Sequence, residues 1–423
     1  MESNQILAAL QIEENEIRIV VGEFYRDLFN IITRESIPCK GISEMRIVDE
    51  KTVINSIREI SNTVSATMGT PLEKVLLCIP GYRAKKEKKN FDVLLPGRVV
   101  NYSDISNIFK DSYKVNVGND YEIINAACAY YKINGIIYPK MPIGEKSEML
   151  STEVDLICGD RLMTYDYVSV VEKAGLSVID ICQDGFASCK EAALFEQSFN
   201  NYVIDIYLEA SHTVFSLIYN GRLFSNITVN TGYDELIKPI MTTYSLNYND
   251  ARRLLFRYGV FDKPTGEDRI INRWGSKNDP HTITYNDLQK TMFESCEKMV
   301  NDFYSCCSSI IQQEHVSIVI TGYGSSLQDL DKVLTEKFQK TAKAYCPDML
   351  GVRESKWAAL LGMFYVYKDN KMVRNTNVNS VDMEIYKANL IYKEDESVDD
   401  GLIDKIKTFT GKIFTEQSDD RGE

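Results

Sequence analysis

The sequence predicts an α/β protein of two β-rich lobes that face each other across a cleft, and three observations carry that prediction. Three strands, a helix and a strand ending on glycine follow one another in the first half of the chain, and the same order returns in the second. Each half carries an insertion before its closing strands resume, residues 83–165 in the first and 233–314 in the second. Helices lie between the strands, the pattern of a layered α/β protein whose ligand would meet both glycine-ended strands.

In the first half the β-type runs are residues 6–10, 17–21 and 28–33; a helical stretch covers 53–68, and the strand 75–79 ends at Pro80-Gly81. In the second half the runs are 202–206, 214–219 and 223–229, followed by a long helix and by the strand 317–321, which ends at Gly322. Within the long helix Leu288, Met292, Cys296, Met299, Phe303, Cys306 and Ile310 recur at steps of three or four, which predicts a core-facing stripe rather than a cofactor site. Residues 369–400 are polar and charged around a short apolar stretch at 390–392 and read as a linker.

A chain of 423 residues predicts two or three folding units. With 44% hydrophobic and 26% charged residues, 10 Pro and 23 Gly, its body has ordinary globular composition. No apolar run approaches the ~18 to 20 residues that cross a bilayer, and the N-terminus lacks the features of a signal peptide, so the protein is expected to stay where it is made. Ten scattered cysteines then read as reduced core thiols rather than disulfides or a zinc site, with the adjacent Cys306 and Cys307 as packing residues. A net charge of −13 excludes a general nucleic-acid binder and makes a local excess of lysine near the C-terminus informative.

Several strings, in this order, resemble the bacterial actin-like cell-division family FtsA over nearly the whole chain. They are Ser36-Ile37-Pro38-Cys39-Lys40-Gly41-Ile42 with Ile47-Val48-Asp49, residues 135–139 with Pro142-Ile143-Gly144, Glu172-Lys173-Ala174-Gly175-Leu176 and Phe186-Ala187-Ser188. Tyr258-Gly259, Thr321-Gly322-Tyr323-Gly324 and the terminal helix complete the series. The resemblance implies an actin-like fold of duplicated ribonuclease-H-like halves with an inserted SHS2-type subdomain and a C-terminal amphipathic helix. The implied units are a first lobe (1–82 and 166–196), the SHS2-like insertion (83–165), a second lobe (197–232 and 315–368), its helical and β subdomain (233–314), a linker (369–400) and the terminal helix (401–416). It also implies ATP between the lobes, self-assembly into a homopolymer, and docking of the FtsZ C-terminal tail on 233–314. Other division proteins would meet the SHS2-like subdomain.

An actin-type cleft needs two tight turns whose backbone N–H groups cradle phosphates, with carboxylates for a Mg²⁺ hydration shell. The family's first turn is Asp-Ile-Gly-Thr-Ser-Lys; aligned through Val20-Val21-Gly22-Glu23, this chain has Gln11-Ile12-Glu13-Glu14-Asn15-Glu16. Gln11 replaces the metal-side Asp, Glu13 the glycine and Glu16 the lysine, leaving three carboxylates where a polyphosphate would sit. A like-charge pair at about 4 Å costs about 4 kcal/mol even at an effective dielectric of about 20. The second turn keeps Asp205-Ile206 and continues Tyr207-Leu208-Glu209-Ala210-Ser211-His212-Thr213, with no glycine for close backbone approach. The nucleoside segment has Ala251, Arg252 and Leu255, the Gly-Gly-Asp segment reads Gly232-Tyr233-Asp234, and Tyr323 stands between Gly322 and Gly324 of the adenosine turn, which Ser325 follows.

The resemblance thus maps nucleotide contacts onto Gln11, Asp205, Ser211, Thr213, Gly232, Arg252, Gly322, Gly324 and Ser325, and the residue types there predict an eroded site without ordinary ATP hydrolysis. The alternative is weak or different binding of ATP and Mg²⁺, with Arg252 offering a charge from a new direction and Asp205 as a relic or structural cap. No catalytic or metal-binding residue is assigned, and His212, His281 and His315 read as structural. The basic run 83–89 reads as a solvated hairpin rather than a lipid or subunit contact.

In the last stretch Leu402, Ile403, Ile406, Phe409, Ile413 and Phe414 form one helical face, opposite Asp404, Lys405, Lys407, Thr408 and Lys412. Three lysines against one aspartate give a local charge of +2, and Asp399-Asp400 suits the helix start. The apolar six with Lys405, Lys407 and Lys412 are therefore assigned to an anionic membrane surface, the alternative being a helix that docks on the protein's own body. About 1 kcal/mol per half-buried apolar side chain and up to about 1 kcal/mol per lysine, offset by helix ordering, make one copy a weak, reversible anchor. Stable attachment then requires several copies on one object. The sequence as a whole predicts a peripheral protein on the cytoplasmic face of the cell membrane at the division site, tethering the FtsZ ring; the alternatives are an active actin-like ATPase and a PilM-type pilus-assembly platform.

Overall fold

Near-continuous apolar runs build the two lobes. The computed structural model describes residues 5–25, 28–138, 140–261, 268–276, 279–374 and 378–389. The first lobe opens with an antiparallel meander, β1 (Gln5–Ile12), β2 (Glu16–Tyr25) and β3 (Leu28–Pro38). Every residue of β1 is buried, as a strand covered on both faces requires. The short pair β4 (Ile42–Ser43) and β5 (Arg46–Ile47) leads into α1 (Glu50–Met68), capped by the Asp49 side chain and closed by Gly69 in the left-handed conformation. Val53, Ile57, Ile60, Val64 and Met68 form its buried stripe. The strand β6 (Lys74–Ile79) then joins β1 in parallel.

The insertion forms its own sheet from β7 (Lys85–Leu94), β8 (Tyr121–Ile133), β9 (Ile136–Tyr138) and β10 (Met149–Asp160), in the order β7-β10-β8-β9, with the helix α2 (Tyr102–Ser112) contributing Ile105, Ile108 and Phe109 to a separate core. The basic run 83–89 lies at the start of β7, where Lys86 is nearly buried and pairs with Asp155 at 3.0 Å. Asp155 and Glu153 also hold Arg222 of the second lobe, at 2.8 and 2.6 Å, so this sheet is tied to that lobe. From Asp160 the chain returns through α3 (Arg161–Lys173), whose Met163, Tyr167, Val170 and Val171 lie in the first lobe's core. The sequence boundary at residue 165 therefore falls inside a helix of that lobe. The strand β11 (Ser177–Gln183) completes the order β11-β6-β1-β2-β3, followed by α4 (Asp184–Glu191) and α5 (Leu194–Gln197).

The second lobe repeats the plan. An antiparallel meander, β12 (Tyr202–Leu208), β13 (Thr213–Tyr219) and β14 (Arg222–Val229), is followed by α6 (Asp234–Tyr244), α7 (Tyr248–Tyr258), the hairpin β15 (Ile270–Ser276) and β16 (Asp279–Thr284), and α8 (Tyr285–Ile311). Then come β17 (Val316–Thr321), α9 (Leu330–Phe338), β18 (Ala342–Ala344) and α10 (Ala358–Arg374). The order β14-β13-β12-β17-β18 and the sense of every pairing match the first lobe strand for strand. The buried stripe of α8 runs through Leu288, Met292, Cys296, Met299 and Phe303 but ends on Cys307 and Ile311, with Cys306 and Ile310 half-buried beside it. A 3.6-residue turn carries the stripe sideways over so long a helix, which a fixed step of three or four does not track.

One expectation is overturned at the end of the described chain. Residues 378–389 are a fastened segment rather than a linker, because a gap between the N-terminal halves of β1 and β6 accepts them. Ile6 N–H donates to Asn379 Oδ1 at 2.9 Å, Ala8 N–H to Ser380 Oγ at 2.8 Å and Ser380 N–H to Ile6 O at 2.8 Å, while Glu73 and Lys74 N–H donate to Ser380 O at 2.9 and 3.1 Å. Val381 and Tyr386 enter the first lobe's core, and Asn389 donates to the carbonyl of Gly69. Replacing Ser380, fully buried, with alanine strands the Ala8 N–H and is expected to cost about 1–3 kcal/mol in urea unfolding; an unchanged midpoint would show that the segment is not fastened there.

Candidate functional site

The β1–β2 turn of the first lobe and the β12–β13 turn of the second meet at the cleft, and side chains fill the space between them. Arg18, on β2, is 1% exposed and spends its guanidinium on both lobes. Its Nε donates to Glu16 Oε1 at 2.5 Å, its Nη1 and Nη2 donate to the two oxygens of Glu209 at 3.2 and 3.1 Å, and Nη1 also donates to the Lys356 carbonyl at 3.1 Å. Glu209 Oε1 further accepts the Tyr323 N–H at 3.0 Å. Beside this pair Gln11 Nε2 donates to Glu13 Oε1 at 2.6 Å and to the Tyr207 hydroxyl at 2.9 Å. His212 Nε2 lies 2.8 Å from Asp184 Oδ2, both side chains fully buried, and Asp184 Oδ1 accepts from Gly81 N–H at 3.0 Å.

These environments set the protonation states. Burial raises the Glu13 carboxyl to about 8, helped by the neighbouring Glu209 charge, so it is mostly protonated near neutrality. Burial also works against the Glu16 carboxylate, but Arg18 and Arg252 outweigh it and hold the group at about 2. His212 pays the same desolvation penalty, yet Asp184 lifts it to about 9, so it is an imidazolium at neutral pH. With Glu13 protonated, Arg18 and Arg252 balance Glu16 and Glu209.

Every residue of the mapped nucleotide site except Ser211 has a partner or a packing role within the protein. Arg252 lies 3.7 Å from Glu16 Oε2 and places its guanidinium 4.6 Å from the ring centre of Tyr323. Asp205 is buried between strands, accepting from Thr321 Oγ1 at 2.8 Å and Cys189 Sγ at 3.3 Å, and burial raises it to about 7. Thr213 Oγ1 donates to Thr231 O at 2.6 Å and Ser325 Oγ to Tyr345 O at 3.0 Å, whereas Ser211 sits half-buried in the turn itself. The retained glycines serve chain packing. A Cβ on Gly232 would lie 2.3 Å from the carbonyl oxygens of Glu209 and Ala210, and Gly322, at φ 76°, faces Leu208 O at 2.7 Å; Gly324 packs on the Leu208 side chain.

A triphosphate with Mg²⁺ does not fit these residues. It would have to displace Glu209 and Glu16 from Arg18 and leave two carboxylates unpaired in the space it enters, where like charges repel most strongly. Among the described residues no cluster of His, Cys, Asp and Glu is arranged to hold a metal ion. Sequence reasoning missed Arg18, Asp184 and Phe256; a lone arginine inside the apolar run 17–21 was the available signal for the first, since an arginine is almost never fully buried unless paired. The membrane-assigned residues Leu402, Ile403, Lys405, Ile406, Lys407, Phe409, Lys412, Ile413 and Phe414 lie outside the described residues.

No family model matches the chain. In sequence it is similar to "Cell division protein FtsA" of Bacillus subtilis (strain 168), 22% identical over 391 residues, covering 89% of this chain and 87% of that protein. It is also similar to FtsA of Enterococcus hirae, 22% identical over 448 residues, with 98% and 100% covered. Among solved structures it is similar to the PilM-PilN type IV pilus biogenesis complex, with a TM-score of 0.58, 11% identity, and 85% of this chain and 98% of that one covered. MreB5 of Spiroplasma citri bound to ADP has a TM-score of 0.52 at 11% identity, with 88% and 99% covered. These structural likenesses show the fold, which is actin-like.

Replacing Glu209 with alanine leaves Arg18 buried without its inter-lobe partner and is expected to destabilise the protein by about 3–5 kcal/mol in urea. The double variant Arg18→Met/Glu209→Leu should lose clearly less than the sum of the two single variants; additive losses would mean the pair is not coupled. A pH dependence follows as well. Glu13, Asp205 and His212 all have raised values, so the folded state holds protons that the unfolded state releases. The stability due to His212 is complete below its ordinary 6.5 and is lost as pH rises through about 9. That due to Glu16 is present above its ordinary 4.5 and is lost as pH falls through about 2. The urea midpoint should therefore fall between pH 6.5 and 9, less steeply in His212→Gln; an upward slope in that window would contradict these assignments.

Proposed function

The chain is a divergent member of the FtsA cell-division family, and we propose that it serves as a division scaffold that holds FtsZ at the cytoplasmic face of the cell membrane. The observation that carries this reading is the sequence match to FtsA proteins over nearly the whole chain, 98% of it in the case of the Enterococcus hirae relative. In this reading the terminal helix 401–416 binds anionic lipid weakly, and self-assembly multiplies the contact. The segment 378–389 supports it by fastening the last described residues to the first lobe, so that an anchor beyond Asn389 would pull on folded structure.

The FtsZ tail is assigned to a groove between α8 and α9. It is a cavity of about 340 Å³ whose walls include Phe261, Phe293, Cys296, Val300, Val333 and Lys337. Phe293 is 53% exposed, and the groove has the mixed apolar and charged lining that suits one or two anchor side chains of a short peptide. A second reading, a pilus-assembly platform, is favoured by the likeness to the PilM-PilN complex. It would put the cytoplasmic tail of a membrane protein in place of the FtsZ tail.

The full chain is expected to sediment with phosphatidylglycerol-containing vesicles and a chain ending at Asp399, which keeps 378–389, is not. Equal sedimentation would sink the tether. A labelled FtsZ tail peptide should bind the full chain and lose about tenfold or more in affinity on Phe293→Asp, as for a truncated interface anchor. No binding of that peptide, with capture of a pilus protein's cytoplasmic tail, would favour the platform instead.

A further inference from the structure

We infer that the cleft is self-liganded: the chain's own side chains occupy both the base and the phosphate regions of an actin-like nucleotide site, and they hold the two lobes in one fixed relation with no ligand bound. The base half is built on Tyr323, which stands between the glycines of the adenosine turn. Its ring stacks on Phe256 of α7 at 4.5 Å and 19°, and the guanidinium of Arg252, one helical turn before Phe256, lies 4.6 Å from its centre. Tyr233 closes the group edge-on, 5.8 Å from Tyr323 and 5.1 Å from Phe256. An aromatic ring with a flat face, an aromatic partner and a cation against it is the arrangement that a bound purine would otherwise complete.

The phosphate half is the Glu209 carboxylate, paired through both oxygens to Arg18 in the way that a guanidinium clamps a phosphate. Glu16 links the two halves, bonded to Arg18 at 2.5 Å and facing Arg252 at 3.7 Å. Further contacts cross the cleft around this centre. Gln11 reaches Tyr207 and Asn15 reaches Tyr248, at 2.9 and 2.8 Å; His212 reaches Asp184, at 2.8 Å. Lobe contact in this chain is therefore a property of the polypeptide. A ligand shifts a conformational equilibrium only by binding one state better than another, and here the guanidinium that a phosphate would seek is already paired through both oxygens of Glu209. The inference goes beyond the scaffold reading and does not require it, since the lobes are locked whatever partner the chain serves.

Hydrogen exchange read by mass spectrometry on the full chain tests this. Without ligand, the turns 11–18 and 207–213 should exchange as slowly as the centre of β12, and 5 mM ATP with Mg²⁺ should leave them unchanged. Fast exchange in the free protein, or slowing by tenfold or more on adding ATP and Mg²⁺, would overturn the inference. Tyr323→Ala, which strands no buried charge, should speed exchange in 11–18 and 207–213 at least tenfold while β8 and β10 keep their protection; unchanged exchange in those turns would also overturn it. The vesicle and peptide assays stand apart from these measurements, so a failed lock and a failed scaffold are distinguishable.

Discussion

Arg18 lies on a strand whose neighbouring residues are apolar, 1% exposed, and its nearest carboxylate partners come from its own strand and from the opposite lobe. Taking a guanidinium out of water costs several kcal/mol unless its donors find acceptors of good geometry. Three of its nitrogens do, on Glu16, Glu209 and the Lys356 carbonyl, and two of those acceptors belong to the second half of the chain. The two lobes must therefore remain within hydrogen-bond distance, and that constraint propagates. Glu209 fixes the start of the turn after β17 through the Tyr323 N–H, and Tyr323 in turn seats on Phe256 and Arg252.

Apolar packing supports the same arrangement. One core cluster draws Leu7, Val20 and Leu76 from the first lobe, Val203, Val214 and Ile218 from the second, and Leu360 and Phe364 from α10. The closed lobes thus share a hydrophobic interior, whose burial is worth roughly 25 cal/mol per Å² of apolar surface. The insertion adds a polar fastening at the edge, where Arg222 meets Glu153 and Asp155. The segment 378–389 closes the remaining gap in the first sheet with backbone and hydroxyl hydrogen bonds.

In the proposed scaffold, control of assembly would pass to the surface. Partners, lipid and copy number would then be the variables, each acting through weak contacts multiplied by effective concentration. The actin-like fold presents two lobes and their insertions, and between them the cleft buries Glu13, Glu16, Arg18 and Glu209 while Arg252, Phe256 and Tyr323 stay half-buried.

The duplicated plan of the fold was legible because strand runs and helical stripes are local patterns, repeated in the same order in each half and bounded by glycine. The erosion of the phosphate turns was legible for the same reason, since Glu13, Glu14 and Glu16 in the first turn and Glu209 in the second are visible replacements within short strings. Their fate was not. Carboxylates crowded in the first turn predict repulsion; in space Glu13 is mostly protonated, Arg18 and Arg252 face Glu16, and Arg18 also pairs with Glu209 from a position that no local pattern joins, 191 residues away. The polar run 378–389 likewise reads as a linker, because its attachment depends on backbone groups and small hydroxyl and amide side chains that signal burial only once a gap in a distant sheet is there to receive them. The sequence by itself determined the elements, their duplication and the carboxylates that stand in the two turns. Only the tertiary structure decided which charges meet, because that follows from how two separately patterned lobes close on each other.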